Sequence, residues 1–285
     1  MNRLLQNTKD VLHLAMPLIA TLLAQMGMIL VDVIMMGHLG VSELAACSLA
    51  QAAYAMILVF CSGVASAVGV LIARHYGAND HRLVSDYLVQ GVFVALMLAL
   101  PVMALLWFTP NFYLSIGQDV VISQLSGDYL RPMLLGMPAL LLYFVAREFI
   151  AALNYARMVM LIAFGVIPVG ALLNYLLMYG FWFIPALGIQ GIGIATAMTQ
   201  WGMLIVLFWY ISKTADLYQI LRRQSFLGIH RQYSVKILKL GIPIGIMLVF
   251  QEGMFSVSAV LMGYFGELSL AAHQITLQCV TFFFM

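Results

Sequence analysis

Apolar residues run along this chain in long blocks, broken by short clusters rich in charged, Gly and Pro residues. A helix of about 20 apolar residues crosses the hydrocarbon core of a bilayer, and the blocks reach that length. They predict membrane spans over roughly 11–35, 46–72, 84–108, 130–153, 158–180, 187–211 and 236–261, with an eighth opening near 270. The breaks fall at 37–40, 74–86, 109–128 and 181–185, and a long polar stretch covers 212–234. The pattern is that of an all-α polytopic membrane protein.

The polarity pattern also repeats. Residues 12–49 align without a gap on residues 238–275, an offset of 238 − 12 = 226. Pro17, Gln25, Gly27, Gly37 and Gly40 meet Pro243, Gln251, Gly253, Gly263 and Gly266. Repeated Leu arises by chance in an apolar chain, but Pro, Gln and three Gly in register mark an internal duplication. A period of six spans is even, so both copies enter the membrane from the same side and are related by an axis along the membrane normal. The expected organisation is a six-helix lobe over 1–211, a linker over 212–234, and over 235–285 the first one to two helices of a pseudo-symmetric second lobe. The chain stops at Met285 inside a hydrophobic run, so the second copy is expected to be incomplete and the 285-residue product inactive as expressed.

Charge orients the spans. Of 13 Lys and Arg residues, twelve fall on one side of the predicted membrane, and Arg131 alone on the other. The positive-inside rule therefore places the N-terminus and the 212–234 linker in the cytoplasm. Hydrophobic residues are 64% and charged residues 8%, far from soluble composition. A net charge of +2 gives no reason to expect a nucleic-acid partner. Cys47, Cys61 and Cys279 lie in apolar runs without metal or redox spacing and read as small membrane residues.

Carboxylates inside a bilayer cost about 2.5–3.5 kcal/mol on insertion scales, so they are functional candidates by default. Two stand out. Glu252 lies 13 residues after Lys239 and 11 before Gly263, near the midplane of the seventh span. Asp32 lies five residues before Gly37, in the outer third of the first. Away from water, either acid can carry a proton or hold Na⁺; the plain alternative is a neutral acid hydrogen-bonded for packing. The repeat sets Asp32 against Ser258 and Glu252 against Met26, so neither acid is shared between the copies. Asn174 and Thr196 fall at the level of Asp32 and would complete an oxygen set for a hard cation. Equally, they could simply hydrogen-bond neighbouring helices. Gly188, Gly191, Gly193, Ala195 and Ala197 are read as small residues for close helix contact. Pro17 and Pro243 are expected to kink or pack their helices. Arg147 and Glu148 are expected to form an interfacial pair.

At these residues the chain resembles the multidrug and toxic compound extrusion family, and most closely its NorM-like branch. The resemblance rests on VDVIMMGHLG with Asp32, NYLLMYG with Asn174, PALGIQGIGIATAMTQW with Thr196, FQEG with Glu252, and LSLAAHQI at 268–275. It implies a twelve-helix transporter of two six-helix lobes that expels cationic, often aromatic compounds in exchange for H⁺ or Na⁺. It assigns Asp32, Asn174 and Thr196 to a cation or proton site in the first lobe, and Glu252 to the acid of the seventh helix. Asp32 and Glu252 would also attract the substrate. One position departs: where family members often carry a second Asn or Asp one turn before Asn174, this chain has Gly170. That weakens Na⁺ coordination and favours protonation of Asp32.

The expected function is secondary antiport in a bacterial inner membrane, with no cofactor beyond the coupling ion. The partners are small cationic or aromatic molecules and the lipid bilayer, and the complete protein would be a monomer. A lipid-linked saccharide flippase of the same broad fold is a second candidate, although it would call for a cationic cleft. A membrane-embedded enzyme is a third. The loops, however, lack an acidic metal cluster, a Ser/His pairing or a phosphate-binding glycine loop, and the six His are scattered.

Overall fold

The computed structural model describes residues 30–180, 185–214 and 231–284, together with Leu23, Gly27 and Leu217. All regular structure among these residues is helical. The helices are α1 (Leu30–Leu39), α2 (Val41–Gly77), α3 (His81–Ser115), α4 (Val120–Met133), α5 (Met137–Ala152), α6 (Ala156–Tyr179), α7 (Ile189–Lys213), α8 (Arg231–Gly263) and α9 (Glu267–Phe284). Taking α4 and α5 as one element, six of them are long and apolar enough to cross a membrane. The all-helical, multi-span expectation holds. Positions 11–29 of the predicted first span lie outside the described residues, apart from Leu23 and Gly27.

Boundaries differ where polar residues serve the helix rather than end it. The break expected over 109–128 narrows to 116–119, because Thr109 donates its hydroxyl to the Leu105 carbonyl at 3.1 Å and continues α3. Asp119 then caps α4, accepting from the backbone N–H of Val121 at 2.8 Å and of Ile122 at 3.2 Å. The break expected over 74–86 narrows likewise to three residues, with Asp80 capping Leu83 and Asn79 at φ 57°. The fourth span runs from Val120 to Ala152 and is interrupted by a 3₁₀ turn at Leu134–Gly136. Pro132 and Pro138 flank this turn, and neither can donate the backbone bond a continuous helix needs. At the linker, α8 already begins at Arg231, four residues before the expected lobe boundary.

The duplication is visible in the geometry. Helix α2 starts at Val41 after Gly40, and α9 starts at Glu267 after Gly266; both offsets equal 226. Helix α2 is the hub, packing against α3, α4, α5, α8 and α9. Its closest partner is α8. A Cβ on Gly63 would fall 2.5 Å from the Gly245 Cα, and one on Gly241 2.8 Å from the Val64 Cα. The two backbones therefore touch, as small residues permit between membrane helices. The same physics operates in α7, where Gly191 and Gly193 lie directly on the backbone carbonyls of Leu177 and Tyr129. Outward positions such as Leu100, Phe208 and Phe265 are exposed and apolar, the arrangement a lipid solvent favours. Arg131, the one basic residue on the minority side, lies over the Trp107 ring at 5.3 Å. Arg147 and Glu148 form the expected pair at 2.9 Å, both partly exposed.

Candidate ion-coupling site

The one carboxylate of α1 points into the bundle. Asp32 is 6% exposed and Asn174, from α6, is 0% exposed. The Asn174 amide donates from Nδ2 to Asp32 Oδ1 at 2.5 Å. This joins two residues 142 positions apart in sequence. An amide suits this place because it serves either charge state of the acid: its N–H₂ donates to a carboxylate, and its carbonyl accepts from a carboxylic acid. Among the described residues the Asn174 Oδ1 atom is buried without a partner. An orphaned acceptor beside a buried carboxylate is a place for a positive particle, since an unmet buried acceptor costs about 1–3 kcal/mol.

A ring of polar groups surrounds the pair. Cys47 and Tyr54 from α2 and Tyr129 from α4 are buried within electrostatic reach of Asp32. Gln200 of α7 donates to the Tyr54 hydroxyl at 2.8 Å, and its own Oε1 is unpartnered among the described residues. Gln51 donates to the Cys47 sulfur at 3.4 Å. The pair can hold a proton, and the nearby Tyr54 and Tyr129 hydroxyls and Gln200 Oε1 add further oxygens to the Asp32 carboxylate and Asn174 Oδ1.

A family model described as MatE matches residues 17–176, more than half of the 285 residues. The chain belongs to the MatE family. The probable multidrug resistance protein NorM of Pseudomonas syringae pv. tomato is 35% identical over 277 residues, which cover 96% of this chain and 60% of that protein. The multidrug resistance protein NorM of Vibrio vulnificus is 29% identical over 285 residues, 100% of this chain and 62% of its own length. The crystal structure of the eukaryotic MATE transporter AtDTX14 has the same fold, with a TM-score of 0.81 at 19% identity over 91% of this chain and 57% of that one. This MatE chain thus spans about 60% of the length of the curated relatives it matches.

The other expected members of the site fall elsewhere. In the MatE chain the Thr196 hydroxyl donates to the Ile192 carbonyl of its own helix at 2.9 Å. It does not join the Asp32–Asn174 bond. The physical reason is local: a threonine in a helix satisfies its donor most cheaply four residues back. Glu252 lies on α8, half-buried, and has no hydrogen-bond or ion-pair partner among the described residues. Phe250 and Met254, two residues to either side, are 77% and 79% exposed and share the helix face opposite the acid. At Ser258, the repeat counterpart of Asp32, the hydroxyl instead bonds His273 Nε2 at 3.1 Å. Reading the sequence for acids overlooked the amides and phenols: Gln51, Tyr54, Tyr129 and Gln200. Their signal was present, since each interrupts an apolar stretch with a group that must find a buried partner.

Proposed function

We propose that the protein is a secondary active antiporter that exports cationic, aromatic compounds in exchange for an inward-moving proton, carried at the Asp32–Asn174 pair. The observation that supports this most is the buried carboxylate bonded across α1 and α6 beside an unsatisfied amide oxygen. Such a group tolerates its buried position when a positive particle joins it, and it gives that particle up most readily when water reaches the carboxylate. The relatives named as multidrug resistance proteins support a drug-like substrate. Gly170, standing where a further oxygen ligand would be expected, favours H⁺ over Na⁺. Thr196 enters only if its hydroxyl turns away from Ile192.

Glu252 is the second acid in this reading. It offers a cationic substrate a negative charge, and a bound cation or proton displaces that substrate. Coupling is then competition for negative charge joined to a conformational preference, which is what linkage requires of two ligands. The site belongs in a bacterial cytoplasmic membrane with the N-terminus inside, on the strength of the twelve-to-one distribution of basic residues. The complete protein works as a monomer, with its substrate path inside one chain.

The test uses everted membrane vesicles expressing the longest reading frame that contains these residues. Efflux of a fluorescent organic cation is followed after imposing a proton gradient or a Na⁺ gradient. Asp32→Asn and Glu252→Gln should each cut ion-driven efflux by about ten-fold or more, the loss expected when a transport step loses a charged interaction of roughly 1.4 kcal/mol or above. Unchanged efflux in both variants would overturn the coupling assignment.

A further inference from the structure

The two repeats meet through side chains at the end of the bundle that holds Gly40, Gln118 and Gly266. Ser42 donates to Glu267 at 2.8 Å, and Ser48 donates to Gln274 at 3.2 Å. The Gln274 amide donates in turn to Gln51 Oε1 at 3.4 Å. Around them Gln118 donates to the Val260 carbonyl at 2.9 Å, and the Tyr264 hydroxyl to the Ile116 carbonyl at 2.6 Å. Ser48 and Gln274 are separated by 226 positions, the repeat period itself, so they are equivalent residues meeting on the pseudo-twofold axis. Parting the two repeats at this end breaks this contact.

The seam is polar. An apolar seam would resist parting in water, and a seam of buried ions would resist parting in any medium. Ser48, Gln274 and Gln51 supply a hydroxyl and two neutral amides that satisfy one another when the ends are together, and Glu267, the one acid of the seam, is only partly buried and accepts from Ser42. They are satisfied by water when the ends part on an aqueous side. Both arrangements are therefore close in energy, as an element with two stable positions requires.

We propose that Ser42–Glu267 and the Ser48–Gln274–Gln51 cluster form the outer lock of the transporter: closed in this structure, and broken when the cleft between the repeats opens outward. This rests on the transport reading above for its direction, because the charge distribution makes the Gly40 end the outer one. Cys47 provides a built-in reporter. It is fully buried and bonded to Gln51, one helical turn away, so it lies immediately behind the lock.

The experiment uses the longest reading frame that contains these residues, in intact cells and in everted vesicles. With Cys61→Ala and Cys279→Ser, Cys47 is a lone thiol among the residues of this chain. A membrane-impermeant maleimide added outside should label it slowly, and about ten-fold faster in Gln274→Ala or Gln51→Ala, the shift expected when a balanced two-state element loses one closing contact. Equal labelling in all three proteins would overturn the lock. In a Cys47→Ala, Cys61→Ala, Cys279→Ser background, Ser42→Cys with Glu267→Cys should be joined by a short bifunctional thiosulfonate. The cross-link should stop efflux, and reduction should restore it. Undiminished efflux by the cross-linked protein would show the seam to be permanent packing and overturn the proposal, leaving the antiport reading intact. Failure of the antiport reading is distinguishable, since it appears as absent efflux before any cross-linking while the Cys47 labelling result stands by itself. Gln274→Asn, which shortens the side chain but keeps the amide, separates lost hydrogen bonding from misfolding by giving intermediate labelling.

Discussion

Asn174 and Thr196 carry similar side-chain chemistry at similar depth, yet their surroundings separate them. Asn174 is fully buried with its donor committed to Asp32, whereas Thr196 spends its hydroxyl on Ile192. A hydrogen bond to a charged partner contributes about 1.5–3 kcal/mol. Asn174→Leu should therefore weaken proton-driven efflux by roughly ten- to a hundred-fold, while Thr196→Val should leave it within about two-fold, the scatter of a neutral change. Equal losses in vesicle assays of the two variants would place Thr196 back beside the acid. The sequence alone could rank Asp32 first, because a carboxylate in an apolar run has few structural excuses. It could not choose between Asn174 and Thr196, because which helix faces Asp32 is decided by packing.

At the scale of elements, the α2–α8 crossing is the contact least able to change. A methyl added at Gly63 would meet the Gly245 backbone at 2.5 Å, and one added at Gly245 would meet the Phe60 carbonyl oxygen at 2.8 Å. Backbone cannot yield as a flexible side chain does, so Gly63→Ala should lower stability by about 1–3 kcal/mol. Gly77→Ala is the control: nothing lies within 4 Å of the added carbon at this helix end, so the change should stay within about 0.5 kcal/mol of the parent. Thermal unfolding of the purified protein in detergent should leave Gly77→Ala beside the parent and Gly63→Ala below it. Helix existence was legible from hydrophobic blocks, but helix ends were not. Thr109, Asp80 and Asp119 look alike as loop signals in sequence, although one continues a helix and two begin one.

At the scale of the whole molecule, the duplication organises both architecture and proposed motion. Equivalent turns at Gly40 and Gly266 gather at one end with the 116–119 turn, and the linker that joins the repeats starts after Lys213 at the end of α7. In the proposed orientation the first end faces outside and the linker faces the cytoplasm. Alkaline phosphatase fused after Asp119 should be active, and a fluorescent protein fused after Arg223 should be bright; the reverse pattern would invert the molecule.

The sequence by itself determined the solvent of this protein, its helical class, its internal repeat and the two acids that a bilayer makes expensive. These follow from local composition and period, which need no knowledge of who packs against whom. Only the tertiary structure decided that Asp32 takes Asn174 as its partner, that Thr196 turns to its own helix, and that Ser48 and Gln274 meet on the axis between the repeats. Those outcomes depend on helix rotation and crossing, which are set by the summed fit of many small side chains and leave no periodic mark along the chain.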